Sequence, residues 1–384
     1  MKILISGAGI AGTTLAYWLA QRGFQATVVE RSAGLRSSGS PVDVRGPAVE
    51  VAARMGIMPR LRAAATDVTR LTFVNAAGRR VGRISMRAMQ STAGDREVEV
   101  PRGDLSTILR DATRDRAEFL WDDSIVALDQ DDNGVNVTFD RAAPRRFDLV
   151  VGTDGLHSAV RRLSFGAETE FVRHMGIYVA TLPIGTPAED RHEVLMYNAP
   201  GTAVSVHPST GQALAAFMFR SPAVPDYNHR DTAQHRRLLT TAFAGGAWRV
   251  PELLDRVRAS DDLYFDSVSQ VRLPEWSRGR VVLLGDAASC VSLFGDGSTL
   301  AMAGAATLAD ELAATPKDHG SALRRYEHSH RARVEPKQRN VSSAAAMLIP
   351  ATRGGIHARN LALKLSPVAT AAGSLRRRAV AAHG

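Results

Sequence analysis

Cysteine is nearly absent from this chain of 384 residues. Because Cys290 is the only cysteine, the chain has neither an intramolecular disulfide nor a metal site made of several thiolates. We therefore expect no bound metal and a reducing, cytoplasmic setting. No apolar run is long enough to span a bilayer, so a membrane partner is not expected either.

Lysine is also scarce, and the positive charge of the chain is carried almost entirely by arginine. The sequence has 48 basic and 39 acidic residues, a formal charge of +9, and its only lysines are Lys2, Lys317, Lys337 and Lys364. The arginines are scattered and only 6% of residues are aromatic, which disfavours a nucleic-acid partner. With 45% hydrophobic and 23% charged residues, the composition is typical of a globular protein.

The first thirty residues predict a strand, a glycine turn, a helix and a second strand. Residues 3–6 are apolar, the next six fit G-x-G-x-x-G, and apolar residues recur at helical spacing over 13–22. A strand over 26–29 then ends on an acid. In a dinucleotide-binding βαβ unit, the helix N-terminus attracts a pyrophosphate and the acid binds the adenosine ribose. The residues expected to contact a cofactor here are Gly7, Gly9, Ala11, Gly12 and Glu30.

An export signal that begins at Lys2 is the weaker alternative, because glycines interrupt the apolar run and an acid closes the second strand. Further along the chain, hairpins are expected around 75–78 and 131–134, and a helix is expected to begin at or just after Arg102. Four extended runs between 176 and 219 predict an antiparallel sheet. A buried strand at 280–284 and a helix over 297–313 then return to the nucleotide-binding pattern.

Three motifs, in this order, resemble those of the class A flavoprotein monooxygenases, the family typified by para-hydroxybenzoate hydroxylase. The first is the glycine turn with Glu30. The second runs from Asp154 to Arg161 and reads D-G-L-H-S-A-V-R, which matches the family pattern D-G-x-x-S-x-V-R. The third is the G-D-A-A stretch that begins at Gly285, with the glycine-rich helix entry that follows it.

The resemblance implies an α/β fold. In this fold a Rossmann-like FAD-binding domain with a parallel sheet is interleaved with an antiparallel-sheet substrate domain and followed by C-terminal helices. The expected bounds are 1–67, 100–168 and 275–320 for the FAD-binding domain, 68–99 and 169–274 for the substrate domain, and 321–384 for the C-terminal helical segment.

The loop over 36–44 is most similar to the branch of the family that contains tetracycline-inactivating monooxygenases and polyketide hydroxylases. By this match Arg36 would contact NADPH, with Arg31 or Arg45 as alternatives for the same place, and Asp43 would contact FAD. Arg102 would contact FAD through the family's Arg-x-x-Leu pattern. The other residues that the resemblance assigns to the cofactor are Asp154, Gly285, Asp286, Gly295, Gly297, Ser298 and Thr299.

Several of these residues have simpler structural interpretations. Asp286 could cap a helix, Arg102 could be a solvated surface residue, and Asp154 could form an ion pair with Arg161. The sequence also departs from the family pattern near the expected flavin ring. Ser289 stands where the family has histidine, Leu293 stands near its usual proline, and Thr299 stands for a common asparagine.

The implied reaction is reduction of FAD by NADPH, reaction with O2 to a flavin C4a-hydroperoxide, and transfer of one oxygen atom to an aromatic or polyketide-like small molecule such as a tetracycline. Because the cofactor carries this chemistry, no catalytic residue is assigned. The alternatives are a flavin-dependent reductase or cyclase without oxygen transfer, and a flavin-binding protein that sequesters a ligand. A monomer or a homodimer is expected.

Residues on the inserted sheet are candidates for the substrate pocket, because its strands carry aromatic and methionine side chains and few charges. The alternative is that these residues form a hydrophobic core, since such side chains at strand spacing usually pack together. The four candidates are Tyr178, Met196, Phe217 and Phe219.

Overall fold

A computed structural model describes residues 1–34, 40–85, 97–209, 211–291 and 296–365. The chain divides into two compact units, each made of three stretches. Unit 1 consists of Met1–Ala65, Asp95–Met175 and Val268–Ser342, and unit 2 consists of Thr66–Gly94, Gly176–Ser267 and Ser343–Gly384. The segment expected to form a separate helical part, 321–384, is divided between the two units after Ser342.

Strands and helices are numbered in chain order. The strands are β1 (Lys2–Ser6), β2 (Gln25–Glu30), β3 (Val42–Val44), β4 (Arg70–Val74), β5 (Arg80–Ser85), β6 (Val98–Val100), β7 (Glu118–Trp121), β8 (Ile125–Asp131), β9 (Gly134–Phe139), β10 (Arg145–Phe147), β11 (Leu149–Gly152), β12 (Val172–Pro183), β13 (Glu193–Ala199), β14 (Thr202–His207), β15 (Leu214–Arg220), β16 (Tyr264–Val271), β17 (Ser277–Arg278) and β18 (Val281–Leu283).

The helices are α1 (Ile10–Gln21), α2 (Pro47–Arg54), α3 (Met58–Ala63), α4 (Arg102–Thr113), α5 (Ala159–Ser164), α6 (Glu168–Phe171), α7 (Thr232–Ala242), α8 (Val250–Ala259), α9 (Asp286–Ser289), α10 (Asp296–Ala314) and α11 (His319–Leu348). A further helix covers 353–365. In the described part of the chain, no helix is both long and apolar enough to cross a membrane.

A six-stranded sheet with the order β17-β18-β11-β1-β2-β7 forms the centre of unit 1. Strand β1 runs parallel to both β11 and β2, and β18 and β7 extend the parallel arrangement on either side. The side chains of Ile3, Leu4 and Ile5 are all fully buried, as expected for a parallel sheet that is covered on both faces. The predicted strand, turn, helix and strand at the N-terminus are confirmed.

The turn between β1 and α1 depends on two close backbone approaches. Gly7 has a φ of 105°, which favours glycine, and its N–H donates to the carbonyl of Val29 at 2.7 Å. A Cβ atom on Gly12 would lie 1.9 Å from the carbonyl oxygen of Gly7. The Thr153 hydroxyl donates to the carbonyl oxygen of Ser6 at 2.7 Å, which joins the end of β1 to the residue after β11.

Two smaller sheets complete unit 1. Strands β8, β9 and β10 form an antiparallel sheet, and β3 pairs with β6. The expected hairpin turn at 131–134 is present, and the side chain of Asp131 accepts hydrogen bonds from the N–H groups of Asn133 and Gly134. An aspartate that bonds to the backbone in this way fixes a tight turn.

The sheet of unit 2 has seven strands in the order β16-β12-β15-β14-β13-β4-β5. Strands β12 to β15 pair in antiparallel fashion, as the sequence predicts, but β4 runs parallel to β13. The reason is that β4 comes from a distant stretch of chain, so no short hairpin constrains its direction. The predicted hairpin around 75–78 is the connection between β4 and β5.

One face of this sheet packs on α7 and α8 and forms an aromatic core. Tyr178 and Phe219 stack with ring centroids 5.5 Å apart, and Phe217 meets Phe243 edge-on at 5.1 Å. The Tyr178 hydroxyl accepts a hydrogen bond from the N–H of Val224 at 3.0 Å. All three candidate residues are thus engaged in packing, which favours the core interpretation over a role in lining a substrate pocket.

Met196, the fourth candidate, is buried but lies on the opposite face of the sheet. Strand register aligns Met196 with Ser205 and aligns Ser205 with Ala216, so these three residues share one face. Ala216 is the sequence neighbour of Phe217. Because successive side chains on a strand point to opposite faces, Met196 and Phe217 point away from each other. The four candidates therefore do not form one surface.

Replacing Phe217 by Ala should lower the free energy of unfolding by about 3–5 kcal/mol, the usual cost of deleting a buried aromatic ring. Urea denaturation measures this change, and Val126→Ala at an exposed position should change stability by no more than about 0.5 kcal/mol. A Phe217→Ala protein with normal stability and an altered substrate KM would instead place Phe217 in the substrate pocket.

Candidate functional site

Glu30, at the end of β2, holds the glycine turn in place. Its carboxylate accepts hydrogen bonds from the N–H of Ala8 at 2.8 Å and from the N–H of Ser32 at 3.0 Å. Sequence reasoning missed this structural role and assigned Glu30 to the ribose alone. A carboxylate offers about four lone-pair sites, so these two bonds leave capacity for sugar hydroxyls.

Gly9 is surrounded by open space, whereas Gly7 and Gly12 are closely packed. A Cβ atom on Gly9 would meet nothing within 4 Å, and its φ of −73° is accessible to any residue. No side chain caps the N-terminus of α1, and its first turn contains no acidic residue. The open space and the uncapped N–H groups fit the pyrophosphate of a dinucleotide, since a helix N-terminus binds anions.

Asp43 lies beside the start of α10, although 255 residues separate it from Ser298. The Ser298 hydroxyl donates to the backbone carbonyl of Asp43 at 2.7 Å, and the N–H of Arg45 donates to the Thr299 hydroxyl at 3.3 Å. Burial raises the pKa of the Asp43 carboxyl, and the ion pair with Arg45 only partly offsets this effect. Arg45, which was an alternative to Arg36 in the sequence analysis, is therefore the partner of Asp43.

Gly285 and Asp286 lie where the N-terminal parts of three helices meet. Gly285 is the N-cap of α9 with a φ of 67°, and a Cβ atom on it would lie 3.0 Å from the Cβ of Ala11 in α1. A Cβ atom on Gly297, in the first turn of α10, would lie 3.9 Å from a carboxylate oxygen of Asp286. Gly285 rather than Asp286 occupies the N-cap position of α9, and Asp286 is the first residue of that helix.

The second motif folds its own polar side chains inward. Ser158 is the N-cap of α5 and accepts from the N–H of Arg161 at 2.9 Å, while its hydroxyl donates to Asp154. The N–H of Val160 donates to Asp154 at 3.1 Å, and the hydroxyl of Ser6, in β1, lies 3.4 Å from it. Burial raises the pKa of Asp154, and the hydrogen bonds from Ser158 and Val160 oppose the rise. Asp154 thus ties the second motif to the end of β1.

Arg161 joins the second motif to the third. Its side chain is buried, and it donates to the carbonyl oxygens of Ala287 at 2.9 Å and of Leu156. Its carboxylate neighbour is Glu168 at 3.7 Å, so the alternative interpretation of Asp154 and Arg161 as an ion pair is not supported. Burial lowers the pKa of this guanidinium. The bridge was not predicted, because a motif does not show which backbone carbonyls its arginine reaches.

Some of the residues predicted to bind the cofactor are not among the contacts described above. Arg31 is exposed just beyond β2, and Arg102 is exposed at the first residue of α4, where the sequence predicted a helix start. Arg36 and Gly295 lie outside the described residues, as does Leu293. In the described stretches, no three His, Cys, Asp or Glu side chains are arranged to hold a metal ion.

Comparison with known proteins identifies the family. Residues 1–341 match the family described as an FAD binding domain. The chain belongs to this family, the class A flavoprotein monooxygenases. The resemblance predicted from the three motifs is confirmed, and the protein is an FAD-dependent oxidoreductase that acts on a small molecule with O2.

Individual relatives agree with this assignment. A flavin-dependent monooxygenase from an unknown prokaryotic organism is 38% identical over 340 residues, covering 88% of this chain and 87% of that protein. The crystal structure of tetracycline destructase Tet(51) has 32% identity and a TM-score of 0.82, with 94% of this chain and 95% of that chain covered. HpxO of Klebsiella pneumoniae, complexed with FAD and uric acid, has 25% identity, a TM-score of 0.75 and coverage of 94% and 92%.

The two glycines of the turn should respond differently to the same substitution. Gly9→Ala should fold normally but bind FAD at least about tenfold more weakly, a cost of about 1.4 kcal/mol, because its methyl group would occupy the open space beside the N-terminus of α1. Gly12→Ala should lower the free energy of unfolding by about 1–3 kcal/mol through overpacking against Gly7. Urea denaturation and FAD titration of the apoprotein measure both effects.

Two results would contradict this assignment. Unchanged FAD affinity in Gly9→Ala would show that the pyrophosphate does not bind beside Gly9. Equal losses of stability in the two variants would show that Gly9 is needed for folding rather than for the cofactor.

Proposed function

We propose that the protein uses NADPH to reduce FAD and inserts one atom of O2 into an aromatic or polyketide-like small molecule, such as a tetracycline. The observation that carries the proposal is the likeness to tetracycline destructase Tet(51), which extends over 94% of this chain at a TM-score of 0.82. A cytoplasmic location and a monomeric or homodimeric state are part of the same proposal.

The described residues of unit 1 supply the proposed cofactor site. The open space at Gly9 would take the pyrophosphate, Glu30 would bind the ribose, and Asp43 and Asp286 would bind other hydroxyl groups of FAD. Ser298 and Thr299 would hold Asp43 in place through its backbone, and the N-terminus of α10 would favour negative charge on a bound group. FAD, once reduced, supplies the reactivity towards O2, and the protein must position the substrate and exclude water.

NADPH would bind without a βαβ unit of its own. The sequence contains no second G-x-G-x-x-G turn followed by an acid-terminated strand. Arginine is suited to binding phosphate through paired hydrogen bonds, which supports a role for Arg36 in the loop before β3. Arg45 is less suited to this role, because it is paired with Asp43.

The substrate would be recognised by the face of the unit 2 sheet that does not pack on α7 and α8. Strand register places Thr181, Ala216, Ser205 and Met196 in one row on this face. The Ser205 hydroxyl lies 2.9 Å from Nε2 of His207, and burial lowers the pKa of that imidazole to about 4. Ser205 and His207 are therefore neutral near pH 7 and would bind uncharged carbonyl or hydroxyl groups of a substrate.

A flavin-dependent reductase or cyclase is the second candidate, because Ser289 replaces the family histidine. Ser289 is buried in α9, where its hydroxyl lies 3.4 Å from the carbonyl oxygen of Gly285. A side chain that is turned onto its own helix contributes less to the flavin surroundings than a histidine would. A third candidate is a flavin-binding protein that sequesters its ligand and does not convert it.

Turnover with isotopically labelled O2 distinguishes these functions. The FAD-loaded protein, given NADPH and a panel of tetracyclines and phenolic polyketides, should form a product that carries one labelled oxygen atom, detected by mass spectrometry. A reductase or cyclase would consume NADPH without placing label in the product, and a sequestering protein would bind ligand without substrate-dependent NADPH consumption. Protein stripped of FAD is the control.

Arg36→Ala should raise the KM for NADPH by about tenfold, because it removes a charged hydrogen bond to phosphate, while FAD affinity stays unchanged. Steady-state kinetics and FAD titration measure the two quantities. Arg31→Ala tests the alternative contact that the sequence analysis names. Loss of FAD from Arg36→Ala, or a raised KM in Arg31→Ala but not in Arg36→Ala, would move the NADPH contact away from Arg36.

A further inference from the structure

The function proposed above assigns no ligand to a cleft of about 230 Å³ in unit 1, whose lining includes Ser289. One wall is α11, and the other is the chain from the end of β16 to the start of β17. Three arginines, Arg272, Arg331 and Arg339, line the cleft, and its only acidic lining residue is Glu335. Arg331, Glu335 and Arg339 are spaced four residues apart, which places them on one face of α11.

The three guanidinium groups are not equivalent. Arg331 is already neutralised, because it pairs with Glu327 at 2.5 Å and also donates to the carbonyl oxygens of Leu273 and Pro274. It lies over the ring of Trp276, 4.8 Å from the ring centroid. Arg331 therefore lines the cleft without adding an unpaired positive charge to it.

Arg272 and Arg339 keep their charge available. Arg272 donates to the amide oxygen of Gln270 at 3.0 and 3.2 Å, and this partner carries no charge. Over the described ranges, no carboxylate forms a salt bridge with Arg272 or Arg339, whereas Lys337 on the same helix pairs with Asp296 at 3.3 Å. Glu335 is the one carboxylate among the lining residues, so Arg272 and Arg339 together leave an excess of positive charge that favours an anionic ligand.

A buried amide network holds this arrangement in place. Gln270, which is 2% exposed, orients Arg272 through its amide oxygen and donates from its amide nitrogen to the backbone carbonyl of Gln338 at 2.6 Å. Gln338 donates in turn to the carbonyl oxygens of Val271 at 2.9 Å and Cys290 at 3.1 Å. The two walls are thus fastened to each other, and a preorganised site loses less entropy when a ligand binds.

We propose that this cleft binds a small organic oxyanion, with a carboxylate or phosphate group held between Arg272 and Arg339. Guanidinium groups match the planar or forked geometry of such oxyanions. Val271, Leu273 and Val334 add apolar surface for the body of the ligand. The volume is below the usual ~300–1,000 Å³ of pockets for drug-sized ligands, so the cleft suits a small anion and is too small for a whole dinucleotide.

The test measures binding to the FAD-loaded protein without turnover, so that its outcome does not depend on the proposed monooxygenase reaction. Isothermal titration with benzoate and with inorganic phosphate, at constant ionic strength set with chloride, should show saturable binding. Arg272→Gln and Arg339→Gln should each weaken binding at least about tenfold. Arg333→Gln is the matched control, because Arg333 lies on α11 and donates instead to the Thr307 hydroxyl.

The two probes separate the sources of the oxyanion. Tighter binding of benzoate supports a carboxylate ligand with an apolar body, and tighter binding of phosphate supports a phosphate ligand. Absence of saturable binding of both probes overturns the proposal. So does binding that is unchanged in both cleft variants, or that Arg333→Gln weakens as much as they do, because the anion would then be bound elsewhere or by overall charge alone.

Discussion

The close backbone approach at the first glycine turn is the constraint on which the cofactor site depends. Gly12 lies against the carbonyl of Gly7, which requires Gly12 to lack a side chain, and the Thr153 hydroxyl fixes the same corner to β11. This contact places the N-terminus of α1 at the carboxyl end of β1, in the middle of the parallel sheet.

Backbone carbonyls and N–H groups connect the remaining motifs to this corner. Arg161 reaches the carbonyl of Ala287, Ser298 reaches the carbonyl of Asp43, and Glu30 accepts from the N–H of Ala8. A side chain that bonds to a backbone group can position a loop independently of the residue type in that loop, because every residue has the backbone carbonyl. The family motifs therefore fix the shape of the site as well as its cofactor contacts, and substitutions in them affect folding and binding together.

The aromatic residues of unit 2 show where local sequence patterns fail. Tyr178, Phe217 and Phe219 have the composition of a pocket, but they form the core against α7 and α8. Alternation along a strand separates two sets of residues without indicating which set faces a helix. In β15 all residues from Leu214 to Phe219 are buried, so the hydrophobic pattern could not distinguish the two faces. The parallel pairing of β4 with β13 was missed for a similar reason, since pairing between distant strands leaves no local signal.

The sequence by itself determined the family, the βαβ opening, the positions of the three motifs and most helix and strand locations, because these depend on local spacing and on residues with special backbone requirements. Tertiary structure decided that Asp154 bonds to Ser158, that Arg161 spans two motifs, and that Arg272 is oriented by a buried glutamine. Each of these contacts depends on the distance and direction between side chains or carbonyls in three dimensions. Chain spacing does not encode such distances, so packing of the folded chain had to supply them.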